Sequence, residues 1–175
     1  MAPLLWMARP SVAGTSGAKP EKVRECLDLA GEDGVRACEQ ALTSPLPAAR
    51  AATLWRVLAV KLAGLRRWDD AVEAYRGAAR ARPTDAEAQL RLGHALLHLS
   101  GRPAEAVGPL QEAIRLRPAD TAAHVELGTA FAALGRGSEA VTAFEEGARL
   151  DPGYLESRPA AQATFDAARR GQRWP

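Results

Sequence analysis

The feature that most constrains the fold of this chain is a pattern that recurs three times at nearly constant spacing. Each copy ends at a proline, and the closing prolines are Pro83, Pro118 and Pro152. The first two are 35 residues apart and the last two are 34 residues apart. A period of about 20 to 50 residues is typical of arrays in which each unit covers the apolar face of the next. The sequence therefore predicts three stacked copies of one structural unit.

Each copy carries the apolar pattern of two helices. The first helix has Leu-Gly or Leu-Ala before a bulky residue, and the second has alanines around an aromatic residue or leucine. Aromatic residues make up only 5% of the chain, so its core must be built mostly from Ala, Leu and Val. Small residues allow close helix crossings, and bulky ones fill the space between pairs. The small positions are Ala59, Gly93, Gly128, Ala71, Ala106 and Ala140, and the bulky ones are Tyr75, Leu110 and Phe144.

Over about residues 52 to 153, this pattern resembles the tetratricopeptide repeat (TPR). It departs from that family at Ala59, where Gly is usual, and at Gln89 and His124, where a large aromatic is preferred. The resemblance implies an all-α fold, a right-handed α-solenoid of TPR helical hairpins, with repeats at 52–85, 86–120 and 121–153. It also implies that His124 packs in the core. We expect the extra residue of the second repeat in the connection Ser100–Pro103, where an insertion costs little.

The two ends of the chain are less regular than its centre. Residues 1–20 are expected to form a poorly ordered extension. A degenerate hairpin is predicted over 21–47, with helices at 22–30 and 35–42 and a turn at Gly31–Gly34. Residues 154–175 are expected to form a capping helix and a tail, because Pro159 suits a first helical position and Gly171 a helix end. The inner face of that helix is predicted to be Ala160, Ala163, Ala167 and Phe165.

Cys26 and Cys38 are the only cysteines in the chain. The predicted turn lies midway between them, so antiparallel helices would bring them within reach of a disulfide. The hairpin also resembles those of exported bacterial repeat proteins that carry such pairs. In a reducing compartment, the same residues would be buried small hydrophobic side chains. Both alternatives stay open at this stage. We expect a cytoplasmic protein, or an exported or periplasmic one if the two cysteines are bonded.

The TPR resemblance implies a concave groove lined by the first helices. Its predicted surface is mostly apolar, which suits an extended peptide or a helix with apolar anchors. TPR domains that bind chaperones hold a C-terminal carboxylate with several polar side chains. Arg56 could serve as one of these, but Val60 and Ala122 stand where others are expected, which argues against that specialisation. The predicted groove residues are Thr53, Arg56, Val60, Glu87, Leu90, His94, Leu97, His98, Val125 and Thr129.

His94 and His98 are four residues apart and therefore share one helix face. Glu87 is expected on the same face, and two histidines with one carboxylate are a zinc-binding set. However, the pair lacks the Glu of the metalloprotease signature, and three residues spread along one helix converge poorly. The sequence therefore predicts a polar patch in the groove, with no metal and no cofactor.

Composition and motifs exclude several classes of function. The net charge of +2 comes from interspersed basic and acidic residues, whereas nucleic-acid binding needs a concentrated basic face. No apolar run is long enough for a transmembrane helix. No catalytic constellation or phosphate-binding loop is present, so we predict that the chain is not an enzyme. The predicted function is a scaffold or adaptor that binds a protein or peptide, as a monomer or weak homo-oligomer. The alternatives are a self-associating structural module, an exported repeat protein with a disulfide-locked hairpin, and, more distantly, a metal-binding or enzymatic accessory protein.

Overall fold

The computed structural model of the chain describes residues 20–171, and that range contains ten α-helices and no strand. The expected extension over residues 1–20 and the tail after Gly171 lie almost wholly outside the described residues. The helices are α1 (Pro20–Asp28), α2 (Gly31–Leu42), α3 (Ala48–Gly64), α4 (Trp68–Ala81), α5 (Ala86–His94), α6 (Pro103–Leu116), α7 (Thr121–Ala133), α8 (Gly137–Leu150), α9 (Pro152–Glu156) and α10 (Pro159–Arg169). A π-helical turn, Ala95–Leu99, continues α5.

The helices pack in sequential pairs, α1 with α2, α3 with α4, α5 with α6, and α7 with α8. Each pair also contacts the next, through α2 on α3, α4 on α5, and α6 on α7, while α10 closes the stack against α7 and α8. The predicted fold class, an all-α solenoid of helical hairpins, is confirmed. None of the helices in residues 20–171 is long and apolar enough to cross a membrane.

The hairpins of the second and third repeats are held by close crossings at glycine. A Cβ added to Gly93 would lie 2.5 Å from Cγ of Leu110, and one added to Gly128 would lie 2.9 Å from the ring of Phe144. Leu110 and Phe144 are themselves completely buried. Separations this short do not occur between packed carbon atoms, so a larger residue at either glycine would push the two helices apart.

The first helices of two repeats begin at aspartate. The carboxylate of Asp85 accepts hydrogen bonds from the backbone N–H groups of Glu87 and Ala88, and that of Asp120 accepts one from Ala123. These bonds satisfy donors that the start of a helix leaves without a partner. They also fix where α5 and α7 begin, and therefore which of their residues face the groove.

The extra residue of the second repeat lies in the first helix, so the prediction that placed it in Ser100–Pro103 was wrong. All three hairpin turns have the same length, at 65–67, 100–102 and 134–136. Their middle residues, Arg66, Gly101 and Gly135, share a left-handed backbone with φ of 60° to 72°. The additional residue instead widens α5 into the π-helical turn, where the N–H of Ser100 bonds to the carbonyl of Ala95. A π turn keeps backbone groups hydrogen-bonded, whereas a longer loop would disrupt a turn common to all repeats.

The N-terminal hairpin turns earlier than the sequence predicted. Gly31–Gly34, expected as the turn, forms the first turn of α2, and the chain reverses at Leu29 and Ala30. Gly34 has no room for a side chain, because a Cβ there would lie 2.3 Å from the carbonyl oxygen of Leu29. Cys26 and Cys38 are joined by a disulfide, with Cα atoms 4.4 Å apart. They are not placed symmetrically about the turn.

The C-terminal helix buries only part of its predicted inner face. Thr164 and Phe165 are buried, whereas Ala160 and Ala163 are exposed. Phe165 lies against Phe144 of α8, with ring centroids 5.3 Å apart. The short helix α9 was not predicted from the sequence. The bulk of Phe165 decides the orientation, because burying one aromatic ring stabilises the fold more than burying two methyl groups.

We predict that Gly93→Ala lowers the free energy of unfolding by about 1–3 kcal/mol, because the added methyl overpacks the contact with Leu110. Gly64→Ala is the matched control, since nothing lies within 4 Å of a Cβ at Gly64. That change should be neutral or stabilising by up to about 1 kcal/mol. Urea unfolding followed by circular dichroism gives both values. Equal stability of the two variants would contradict the close-crossing account.

Candidate functional site

The ten predicted groove residues differ in exposure, and half of them line a single cleft. Thr53, Arg56 and Val60 are exposed on α3 and are not among the residues that line the cleft described below. Leu90 and Val125 are buried, so Leu90 serves the core rather than an exposed anchor. The structure brings five of the ten residues together around one cleft: His94, Leu97, His98, Val125 and Thr129.

This cleft has a volume of about 550 Å³ and lies between the π-helical turn, α7 and the C-terminal helices. Tyr154 of α9 and Arg158 line its far side, with the Arg158 guanidinium 4.3 Å from the centre of the Tyr154 ring. The C-terminal segment, predicted only as a cap, therefore also forms a wall of the site. The remaining lining residues are Gly101, Pro103, Glu126, Ala133, Ala160, Ala161 and Thr164.

The polar centre of the cleft is a cluster of His94, His98 and Glu126. Nδ1 of His94 lies 3.0 Å from Oε1 of Glu126, and Nε2 of His98 lies 2.6 Å from Oε2. The two imidazole rings are adjacent, with centroids 4.6 Å apart. One carboxylate thus accepts a hydrogen bond from each of two histidines, and it joins the second repeat to the third.

The environment of Glu126 favours its ionised form. Burial alone would raise the pKa of this carboxyl, but hydrogen bonds from His94 and His98, together with their charges, outweigh burial and lower the pKa to about 2. The hydrogen bond to Glu126 raises the pKa of His98 above its usual value, although partial burial opposes this. Glu126 is largely covered by its surroundings, while nearly half of each imidazole is exposed.

The carboxylate partner of the histidines is not the one that the sequence suggested. Glu87 binds Arg91, with 2.6 Å between Oε1 and Nε, and takes no part in the cluster. Glu126 was missed because it lies 28 residues beyond His98 in the chain. The sequence feature that could have identified Glu126 was its position on the first helix of the next repeat, two residues before Gly128.

His124 was expected in the core, but it is half-buried. Its Nε2 hydrogen-bonds with the carbonyl oxygen of Pro118, at 2.9 Å. Although a large aromatic residue is usual at this position, the imidazole contributes a polar link to the preceding turn. His124 therefore lies outside the cluster formed by the other two histidines.

Stacked hairpins of this kind, with a cleft on the face of the first helices, define a helical-repeat protein. The family model for the tetratricopeptide repeat matches residues 56–120 and 100–154. These two matches cover more than half of the chain, and the chain belongs to the tetratricopeptide repeat family. The family predicted from the sequence is confirmed. A search of curated proteins finds no match.

Several solved structures share this fold. A crystal structure of MamA is 23% identical, with a TM-score of 0.67, covering 80% of this chain and 72% of MamA. The first TPR domain of Spaghetti (RPAP3), bound to an HSP90 peptide, is 22% identical, with a TM-score of 0.60 and coverage of 67% and 93%. The TPR2B domain of yeast Sti1, in a pHsp70 complex, is 21% identical, with a TM-score of 0.61 and coverage of 70% and 98%. These similarities are similarities of fold.

We predict that the histidine–glutamate cluster makes stability depend on pH in metal-free protein. Because the folded pKa of His98 is raised above 6.5, its contribution is present below about pH 6.5 and is lost as the pH rises through the folded value. Glu126 contributes above its usual pKa of 4.5, and this contribution is lost as the pH falls towards about 2.

This prediction is tested by urea unfolding of wild type and Glu126→Gln at about pH 5.5 and about pH 8, with a chelator present. The free energy of unfolding of the wild type should exceed that of the variant by more at the lower pH than at the higher one. This excess in free energy of unfolding should change by less than about 1 kcal/mol between the two pH values, because the imidazoles are partly exposed and screened. If the wild type were more stable than the variant by the same amount at both pH values, the cluster would not make stability depend on pH.

Proposed function

We propose that this chain is a non-enzymatic scaffold that binds an extended peptide or a helix of a partner protein in its concave groove. The observation that carries this proposal is the cleft between the π-helical turn, α7 and the C-terminal helices. It is open, mostly apolar, and contains a few convergent polar groups, which is the usual character of a recognition site. Two proteins of the same fold, from RPAP3 and yeast Sti1, have structures with a bound peptide or in a complex.

The chemistry of the cleft favours a partner with an apolar anchor. Leu97 contributes aliphatic surface on one side, above the buried Val125, and Tyr154 and Ala161 contribute apolar surface on the other. An apolar side chain placed between these walls would displace water from both. Arg158 at the rim and the half-exposed imidazoles of His94 and His98 offer polar contacts that would fix the orientation of the bound segment.

A specialised site for a chaperone C-terminal carboxylate is not favoured. Arg56 is exposed on α3, but its neighbour along the helix face, Val60, is 59% exposed and cannot donate a hydrogen bond to a carboxylate. Such sites need several donors converging on one anion. The proposed partner is therefore recognised mainly through apolar contacts in the C-terminal half of the groove.

The proposal is tested with Leu97→Glu, which places a charge on a half-buried wall of the cleft. Leu134→Glu is the matched control, because Leu134 is a 36% exposed leucine that does not line the cleft. Each protein is used to capture partners from its native lysate, with recovery quantified by mass spectrometry. We expect a specific partner to be depleted about tenfold or more with Leu97→Glu, which corresponds to about 1.4 kcal/mol, and retained with Leu134→Glu.

Equal recovery of every partner by the two variants would contradict the proposed groove. Leu90 is unsuitable for this test, because it is buried and a charge there would disrupt the core. Circular dichroism of both variants separates a lost contact from a lost fold.

We propose further that the protein acts in an oxidising compartment, as an exported protein would. The disulfide between Cys26 and Cys38 supports this assignment, because such bonds are rare where thiols are kept reduced. Intact mass after alkylation, without reductant, tests it on protein from its native compartment. We expect no alkyl groups to be added before reduction and two to be added after reduction. Two alkyl groups before reduction would favour a cytoplasmic protein.

A further inference from the structure

Three potential metal ligands converge on one point of the cleft. One nitrogen of His94, one nitrogen of His98 and a carboxylate oxygen of Glu126 all lie within 4.8 Å of one another. In the part of the chain that the structure describes, this is the one group of three or more histidine, cysteine and acidic residues placed to hold an ion. The ligands come from two different repeats, so the convergence is a product of the fold rather than of local sequence.

We propose that His94, His98 and Glu126 form a binding site for one divalent transition-metal ion of the zinc class. Two imidazoles and one carboxylate are a ligand set that Zn²⁺ accepts, with a further position left for water or another ligand. Imidazole ligands favour zinc and its neighbours over Mg²⁺ and Ca²⁺, which prefer oxygen alone. The proposal does not depend on the proposed scaffold function, since binding requires no partner protein.

The three ligand atoms lie within 4.8 Å of one another, so admitting the ion requires the side chains to move by up to about 1.5 Å. Zinc lies about 2.0–2.2 Å from nitrogen and carboxylate ligands, so tetrahedral donor atoms are about 3.3–3.5 Å apart. The two contacts now measure 3.0 Å and 2.6 Å. They are hydrogen bonds, so coordination requires each facing nitrogen to lose its proton, which a neutral imidazole carries instead on its other ring nitrogen and a charged one releases to solvent. The side chains of His94 and His98 are nearly half exposed, whereas that of Glu126 is largely covered, so the imidazoles are the groups with space to move.

The π-helical turn contributes to this arrangement. His94 is the last residue of α5, and His98 lies within the turn Ala95–Leu99. Single π-helical turns occur frequently at functional sites. The ion would link this turn to α7, so its binding should stabilise the junction between the second and third repeats. Its remaining coordination positions would face the cleft.

The test uses the full chain, untagged, with its disulfide intact and stripped of metal by a chelator. Zn²⁺ is titrated in competition with a chromogenic chelator, and Co²⁺ is added separately to record its visible absorption. We expect one saturable ion per chain and an increase in melting temperature with Zn²⁺. A Co²⁺ absorption of tetrahedral intensity should appear with the same stoichiometry.

Three conservative variants complete the experiment. His98→Gln and Glu126→Gln should each lower Zn²⁺ affinity by at least about tenfold, since each removes one of three ligands. His124→Gln is the matched control, because this third histidine bonds to Pro118 outside the cluster. It should bind like the wild type. His98 is exposed, so its replacement leaves the core intact, and circular dichroism verifies this for every variant.

Two results would overturn the proposal. One is the absence of saturable Zn²⁺ binding by the wild type, which would make the cluster a hydrogen-bonded link between repeats and nothing more. The other is equal affinity in the wild type and in His98→Gln, which would place any bound ion elsewhere on the chain. Neither result would affect the capture experiment with Leu97→Glu, so failure of the metal site and failure of the scaffold function are distinguishable.

Discussion

The structure depends on the close crossing of the two helices within each hairpin. At Gly93 and Gly128, the absence of a side chain lets a completely buried leucine or phenylalanine of the second helix lie against the backbone of the first. This contact sets the distance between the helices, and stacked hairpins repeat it along the array. The positions of α5 and α7 follow from it, and with them the positions of all side chains on the concave face. A chain with so few aromatic residues has little other means of fixing its core.

The site arises from two departures from the regular array. The additional residue in the second repeat forms a π-helical turn, and that turn carries Leu97 and His98 to the edge of the cleft. The C-terminal helices then cover the end of the stack and supply Tyr154 and Arg158 as the opposite wall. The last repeat and the cap together form a cleft with a polar centre.

The repeats could be predicted from the sequence because their signal is local and recurs in phase. Gly93, Gly128 and the closing prolines identified the fold. The site could not be predicted to the same extent. Glu126 reaches His94 and His98 only through the stacking of two repeats, and no local spacing encodes that contact. Leu90 was placed in the groove because the family pattern gives a helix face but not the depth of burial. The location of the extra residue depended on the hydrogen bonds of the turn, which a sequence pattern does not reveal.

The central claim is that partner proteins are recognised in the C-terminal half of the groove. Hydrogen–deuterium exchange of the full chain, with and without a captured partner, tests this claim most directly. The account predicts slower exchange in the segments that line the cleft, residues 94–103, 125–133 and 154–164, and little change along α3. Slower exchange confined to α3, or to the second helices α4, α6 and α8, would contradict it.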